Sequence, residues 1–330
     1  MNVCCRILFL AFAIILFSPY QALAEEEQTR EQELEERMAY YVKNSNPFLP
    51  WYYLAAIDQF ERNIQSVRSD IPKSEGPIAI YFPGEFWNGA LNPSIKDTSK
   101  ISITFFNGYG RDGNNDGNVD AEDPDDKLYT MATFISSYGA TEASIKEALM
   151  EYYDRKETVN QIMTISKIYG HFQTLNLDER AFPLPVHANY SYQSTWGVSR
   201  GWGGRRTHEG TDLFASYGVQ VLSTSYGIIE VMGWNDYGGW RVGIRDMYNT
   251  YHYYAHLSGF NKELKEGDAV EPGTLLGYVG SSGYGKEGTS GRFAPHLHYA
   301  MYKYNGRTEW AFDPFPYLRI WEREGKSKKQ

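Results

Sequence analysis

Thr250-Tyr-His-Tyr-Tyr-Ala-His256 is the stretch on which the fold turns. Its aromatic and β-branched residues favour a strand, and along a strand residues i and i+2 point to one face. By that rule His252, Tyr254 and His256 share a side, and so do His296 and His298 in His296-Leu-His298. Further short runs lie around these two, at residues 220–223, 227–232, 241–245, 274–279 and 297–304, each set off by glycine or a turn. Alternation within short strands separated by turns predicts an antiparallel sheet for the second half of the chain.

Five of the 7 histidines fall between His208 and His298, in the patterns His208-x-x-x-Asp212, Tyr254-Ala-His256-Leu-Ser258 and His296-Leu-His298. Neutral imidazole and carboxylate are the usual ligands of a hydrolytic zinc ion, and three such ligands leave a fourth position open for water. Glu209 suggests a different site, with glutamate as general base between two helical histidines. Asp212 occupies the place of the second histidine, and Gly210 disfavours a helix, so that alternative fails.

Taken together, the motifs Trp196-Gly197, His208-Glu-Gly-Thr-Asp212, Tyr254-Ala-His256-Leu-Ser258, Val270-Glu-Pro-Gly-Thr274, Gly277-Tyr-Val-Gly280, Pro295-His-Leu-His298 and Asp313-Pro314 resemble the lysostaphin-type, or LytM-like, zinc endopeptidases of bacterial cell walls. The resemblance covers residues 182–318. It implies that His208, Asp212 and His298 bind one zinc ion and that His256 and His296 are catalytic histidines beside it. Tyr254, on the expected face of His256, is then a candidate donor to the oxyanion, with core packing as its alternative. Asp246, where the family often has histidine, and the long 280–295 loop depart from the pattern without removing a ligand. The build is most similar to the spore-associated L-alanyl–D-glutamyl endopeptidases of that family. A glutamyl substrate carries a carboxylate, for which Arg205, Arg200, Arg206 and Arg292 are candidate clamps. His252 reads as a structural strand residue, and His171 and His187 as incidental.

The front half reads as mainly helical, with helical spacing at 25–46, 51–66, 129–138 and 142–168 and a loop at 72–93. Asp112, Asn114, Asp116, Asn118, Asp120 and Asp123 fall at positions 1, 3, 5, 7, 9 and 12 of a twelve-residue loop with glycine at 6, an EF-hand-type calcium pattern. A solvated turn is the alternative. Residues 50–61 resemble the catalytic helix of lysozyme-like lytic transglycosylases, in which a glutamate is the sole acid/base. Glu61 lies on an apolar stripe with Leu54, Ile57 and Ile64, and burial would raise its pKa. Arg62 beside it is expected to lower that pKa again, which favours a glycan-binding relic over a second active site.

The expected organisation is α+β. A signal peptide at 1–24 precedes a helical lysozyme-like domain at 25–181 and an antiparallel β peptidase domain at 182–320, with a basic tail at 321–330 whose Lys326 to Lys329 run is expected to fray. The signal rests on Arg6, the apolar 7–17 run and the small residues of Ala22-Leu-Ala24, and implies secretion without lasting membrane insertion; the resemblance implies the cell wall or forespore envelope as the destination. Both cysteines, Cys4 and Cys5, lie within it, so the mature chain has no disulfide or thiolate ligand. A net charge of −9 argues against nucleic acid and anionic membranes as partners, and the resemblance implies peptidoglycan as the substrate. Two alternatives complete the reading: a non-catalytic wall-binding or sporulation scaffold, and an autolysin that also cleaves glycan through Glu61.

Overall fold

The computed structural model describes residues 19–202 and 204–328. The charged and apolar parts of the expected signal, within 1–18, lie outside the described residues; residues 19–24 open the first helix. Among the described residues no helix is long and apolar enough to cross a membrane.

Among the described residues seven helices form the front half: α1 (Pro19–Lys43), α2 (Trp51–Val67), α3 (Gly84–Asn88), α4 (Lys100–Phe105), α5 (Pro124–Tyr138), α6 (Glu142–Tyr153) and α7 (Lys156–Phe172). Pro50 precedes α2, and Pro124 opens α5 where its missing N–H costs nothing. Side-chain oxygens cap α4, α5 and α6, from Ser99, Asp123 and Thr141. The single helical run expected over 142–168 is two helices, because Asp154 turns left-handed at the end of α6. The expected 72–93 loop contains the short α3.

The second half is β-rich: β1 (Tyr190–Tyr192), β2 (Ser199–Arg200), β3 (Arg206–Thr207), β4 (Thr211–Ala215), β5 (Gln220–Leu222), β6 (Gly227–Asn235), β7 (Gly239–Arg245), β8 (Thr250–Phe260), β9 (Ala269–Val270), β10 (Leu275–Val279), β11 (His296–Tyr304) and β12 (Glu309–Phe312), followed by α8 (Phe315–Ser327). Every pairing is antiparallel. The main order is β1-β4-β11-β8-β7-β6-β9, which makes β11 and β8 central. Residues 321–327 continue α8, so the expected fraying does not hold at 326–327; Trp321 is buried and Glu322 accepts hydrogen bonds from Tyr190 and Tyr192 at 2.8 and 2.7 Å.

One apolar core lies inside the sheet half, around Leu213, Val242, Tyr254, Leu297 and Tyr299. The other fills the helical half but takes in Ile228 and Tyr304 from strands and Met247 from the β7–β8 turn of the sheet half. Asn63 Nδ2 of α2 also donates to the Met247 carbonyl at 2.8 Å. The two halves are thus packed against each other through buried side chains.

Candidate metal centre

Register places the first two candidate ligands together: His298 on β11 pairs with Asp212 on β4. Leu297 and Tyr299 alternate into the core, which turns His296 and His298 to the other face. His208 reaches the same point from the loop before β4. Gly210 is what allows this approach, since a Cβ there would lie 2.5 Å from His298 Cε1.

The three donor atoms form a small triangle. His208 Nε2 lies 2.9 Å from His298 Nδ1, and Asp212 Oδ1 lies 3.1 Å from each. A tetrahedral zinc with ligands at ~2.0–2.1 Å spaces them about 3.3–3.4 Å apart, close to these edges. Among the described residues this is the only group of three or more His, Cys, Asp or Glu side chains that converges closely enough to hold a metal. The surrounding bonds favour ligation. His208 Nδ1 lies 2.8 Å from the Thr195 carbonyl, to which its N–H donates, leaving Nε2 as the free donor. Burial lowers the pKa of His298, and Asp212, which burial alone would raise, is held low by its contacts with His208 and His298. Neutral imidazole and ionised carboxylate are the ligating forms.

His256 and His296 stand beside the triangle, with ring centroids 4.9 Å apart. His256 Nδ1 faces the Ser282 carbonyl at 2.7 Å and His296 Nδ1 the Ala294 carbonyl at 2.9 Å, so each directs Nε2 elsewhere. Burial, then the neighbouring His296 and His298, push His256 down to about 3; burial lowers His296 as well. Both lie on a cavity of about 670 Å³ together with the three candidate ligands.

Strand β8 departs from the simple alternation. Val242 pairs with Tyr254 and Trp240 with Leu257, so β8 carries one extra residue, and His256 takes a left-handed φ of 64°. This bulge inverts the face. Tyr251 and Tyr253 line the cavity with His256, whereas Tyr254 lies in the core, where its hydroxyl is 2.7 Å from Thr224 Oγ1. Tyr254 is therefore not placed to meet an oxyanion. His252 is also buried, between Asp246 at 3.2 Å and the Tyr299 hydroxyl at 2.7 Å.

The cavity has an aromatic rim that single-residue reasoning missed. Trp202 stacks on Tyr284 at 4.7 Å and meets Tyr237 edge-on at 5.1 Å. Phe293 packs on His256 at 4.6 Å, so the 280–295 loop supplies two walls, Tyr284 and Phe293. Of the candidate clamps, Arg200 and Arg206 line the cavity; Arg205 is exposed and does not, and neither does Arg292. Arg241, unforeseen, does.

The front-half candidates are differently placed. Glu61 is 5 % exposed and accepts a hydrogen bond from Tyr153 at 2.7 Å. Arg62 does not lower it: its guanidinium turns to Asp58 at 2.9 Å and to the Pro77 carbonyl. Burial first, with the charge of Asp58, outweighs Tyr153 and Arg68 and raises Glu61 to about 7. In the 112–123 loop, Asp116, Asp120 and Asp123 accept from the backbone N–H groups of Asn118, Glu122 and Asp125. Asn114 Oδ1 accepts from Asp116 N–H, and the Asn118 side chain is exposed. Asp112 Oδ2 takes the Gly117 N–H, but its buried Oδ1 has no partner.

The fold and the His-Asp-His centre are those of a metallopeptidase domain, and residues 206–314 match the model of "Peptidase family M23". The chain is 50% identical over 329 residues to the L-Ala--D-Glu endopeptidase of Bacillus subtilis (strain 168), a match that covers 98% of this chain and 100% of that protein. It belongs to peptidase family M23 and is a peptidase. Over 114 residues it is 36% identical to the glycyl-glycine endopeptidase ALE-1 of Staphylococcus capitis, covering 34% of this chain and 29% of that one. The catalytic domain of lysostaphin from Staphylococcus simulans superposes with a TM-score of 0.34 at 30% identity, over 43% of this chain and 99% of that domain.

Proposed function

We propose that the protein is a secreted zinc endopeptidase that hydrolyses the L-Ala–D-Glu bond of peptidoglycan stem peptides in cell-wall or spore-cortex remodelling. The observation that carries this reading is the triangle of His208, Asp212 and His298 at the base of an aromatic-walled cavity. The bond assignment is supported by the full-length likeness to an enzyme of that name. Zinc held there supplies Lewis acidity toward a peptide carbonyl and toward water. Thr195 orients His208 through its carbonyl. His256 and His296 are the catalytic histidines: fixed by the Ser282 and Ala294 carbonyls, neutral and facing the cavity, each is ready to accept a proton at Nε2. Tyr237, Tyr284 and Phe293 wall the cavity in which these histidines stand.

The domain boundaries expected at 182 and 320, and the lysozyme-like ancestry of the front half, belong to this proposal. Glu61 is read as a relic. Its carboxyl is covered, and Gly306 of the β11–β12 turn packs on Phe60 and Ile64 of the same helix. Calcium binding by the 112–123 loop rests on the sequence pattern and on the orphaned Asp112 Oδ1.

Mass spectrometry of peptidoglycan digested by the mature protein tests the function. New amino termini on D-glutamate are expected. Cleavage confined to another bond would overturn the assignment, and intact wall after zinc loading would favour the scaffold.

A further inference from the structure

Five arginines lie on or near the cavity, and four are committed elsewhere or lie outside it. Arg200 holds Asp212 Oδ2. Arg206 donates to the Trp202 carbonyl at 2.9 Å and lies over Tyr237, 5.0 Å from its ring centroid. Arg292 donates to the Tyr284 carbonyl at 2.6 Å, and Arg205 points to solvent.

Arg241 differs in one respect. It lines the cavity, meets the Tyr253 side chain and forms no ion pair among the described residues, and its buried Nε has no acceptor. The contrast with Arg245, four residues along the same strand, is sharp. Arg245 is matched by Glu230 at 3.2 Å and by Glu309 at 2.7 Å. A guanidinium donor withdrawn from water without an acceptor is costly, and a bound anion removes that cost.

Tyr253 sets the position of such an anion relative to the reacting centre. Its ring centroid lies 6.0 Å from that of His298 and 5.9 Å from Arg241 Cζ. Arg241 is thus one aromatic ring away from a candidate zinc ligand. A glutamyl residue inside a peptide uses its amino group and one carboxyl in amide bonds, which leaves one carboxylate free. A guanidinium receives a carboxylate through two parallel N–H···O bonds. Two carboxylates border the same cavity: Glu309, which shares Arg245 with Glu230, and Glu209, which is exposed.

We propose that Arg241 is the specificity-determining residue, binding the free carboxylate of the glutamyl residue next to the scissile bond. The inference rests on the endopeptidase reading above.

The test compares two synthetic stem peptides that differ only at the residue after L-alanine, one with the free carboxylate of D-glutamate and one with that carboxylate amidated. The zinc-loaded full-length mature enzyme should prefer the acid by about 30-fold in kcat/KM. Arg241→Gln should bring that ratio to within twofold of one. Arg241→Lys, which keeps the cation but loses the fork, should give an intermediate ratio. A structural role alone would change both rates and leave the ratio intact. Equal cleavage of both peptides by the wild type, or an unchanged ratio in Arg241→Gln, would overturn this inference alone. Cleavage of neither peptide would overturn the bond assignment along with it.

Discussion

Two buried knots of ionisable groups sit in the two halves of this molecule, and they are wired in opposite ways. In the helical half, Asp58 is saturated by the protein itself: Arg37, Arg62, Tyr41 and the Ala79 N–H all point to it, and Tyr153 covers Glu61. In the sheet half, His208, His256 and His296 each spend one nitrogen on a backbone carbonyl and turn the other toward a shared space. Both clusters have shifted pKa values, so a shift alone does not mark a working site. What separates them is the direction of the unspent lone pairs.

The contrast is most open to attack at the metal. His208→Ala, Asp212→Ala or His298→Ala should lose zinc and peptidase activity together, by ~10³-fold or more, because two ligands make a poor site. His256→Ala and His296→Ala should keep zinc and lose about 10²- to 10⁴-fold in kcat, the usual worth of a positioned acid or base. Metal analysis beside kinetics decides it. Full zinc occupancy in His298→Ala would sink the ligand assignment.

Next in size is Glu61. Its folded pKa of about 7 lies above the ordinary carboxyl value of 4.5. A raised carboxyl favours the fold fully below the unfolded pKa, and that contribution is lost as pH rises through the folded one. Relative to Glu61→Gln, the wild type should lose on the order of 3 kcal/mol between pH 4 and 8. Denaturant melts at several pH values measure this. Wall digestion should be the same in the two proteins, and anhydro-muropeptides released by His256→Ala would show instead that Glu61 is a working acid.

The bulge in β8 offers a smaller contrast. Tyr254→Phe removes a core hydroxyl bonded to Thr224 and should cost about 1–2 kcal/mol of stability with little change in kcat/KM. Tyr253→Phe should do the reverse, since it alters the cavity wall. A catalytic loss in Tyr254→Phe that exceeds the one in Tyr253→Phe would contradict the inverted face.

Smallest is the 112–123 loop. Calcium in millimolar excess should raise the Tm of the wild type by a few degrees, about 2–5 °C, and that of Asp112→Ala not at all. Identical melting of the wild type in calcium and in chelator would leave the loop a plain turn.

Much of this was legible in the residues, for reasons of range. His296, His298, Asp212 and His208 are set by a two-residue step, a four-residue step and one cross-strand pairing, and the motif order carried the rest. The face of His256 was not legible, because one bulged residue between Tyr254 and Leu257 reverses every inference drawn by counting in twos. Helix α4 was missed because Ile101 and Phe105 face solvent and give no buried stripe. Arg62 was misjudged because adjacency in sequence says little on a helix: it meets Asp58 four residues back, not Glu61. Arg241 belongs to no motif, and only its missing counter-ion distinguishes it from Arg245.

The core shared between the halves has a consequence for the life of the chain. Ile228, Met247 and Tyr304 are synthesised after every helix they complete, so the helical half leaves the ribosome with an open apolar socket. It stays unfinished until the turn before β8, and then the end of β11, close over it. The last of the candidate ligands in chain order, His298, lies on that same strand. Completion of the scaffold and assembly of the hydrolytic centre are therefore nearly one event. A chain cut short before β11 carries neither a finished core nor a complete set of candidate ligands.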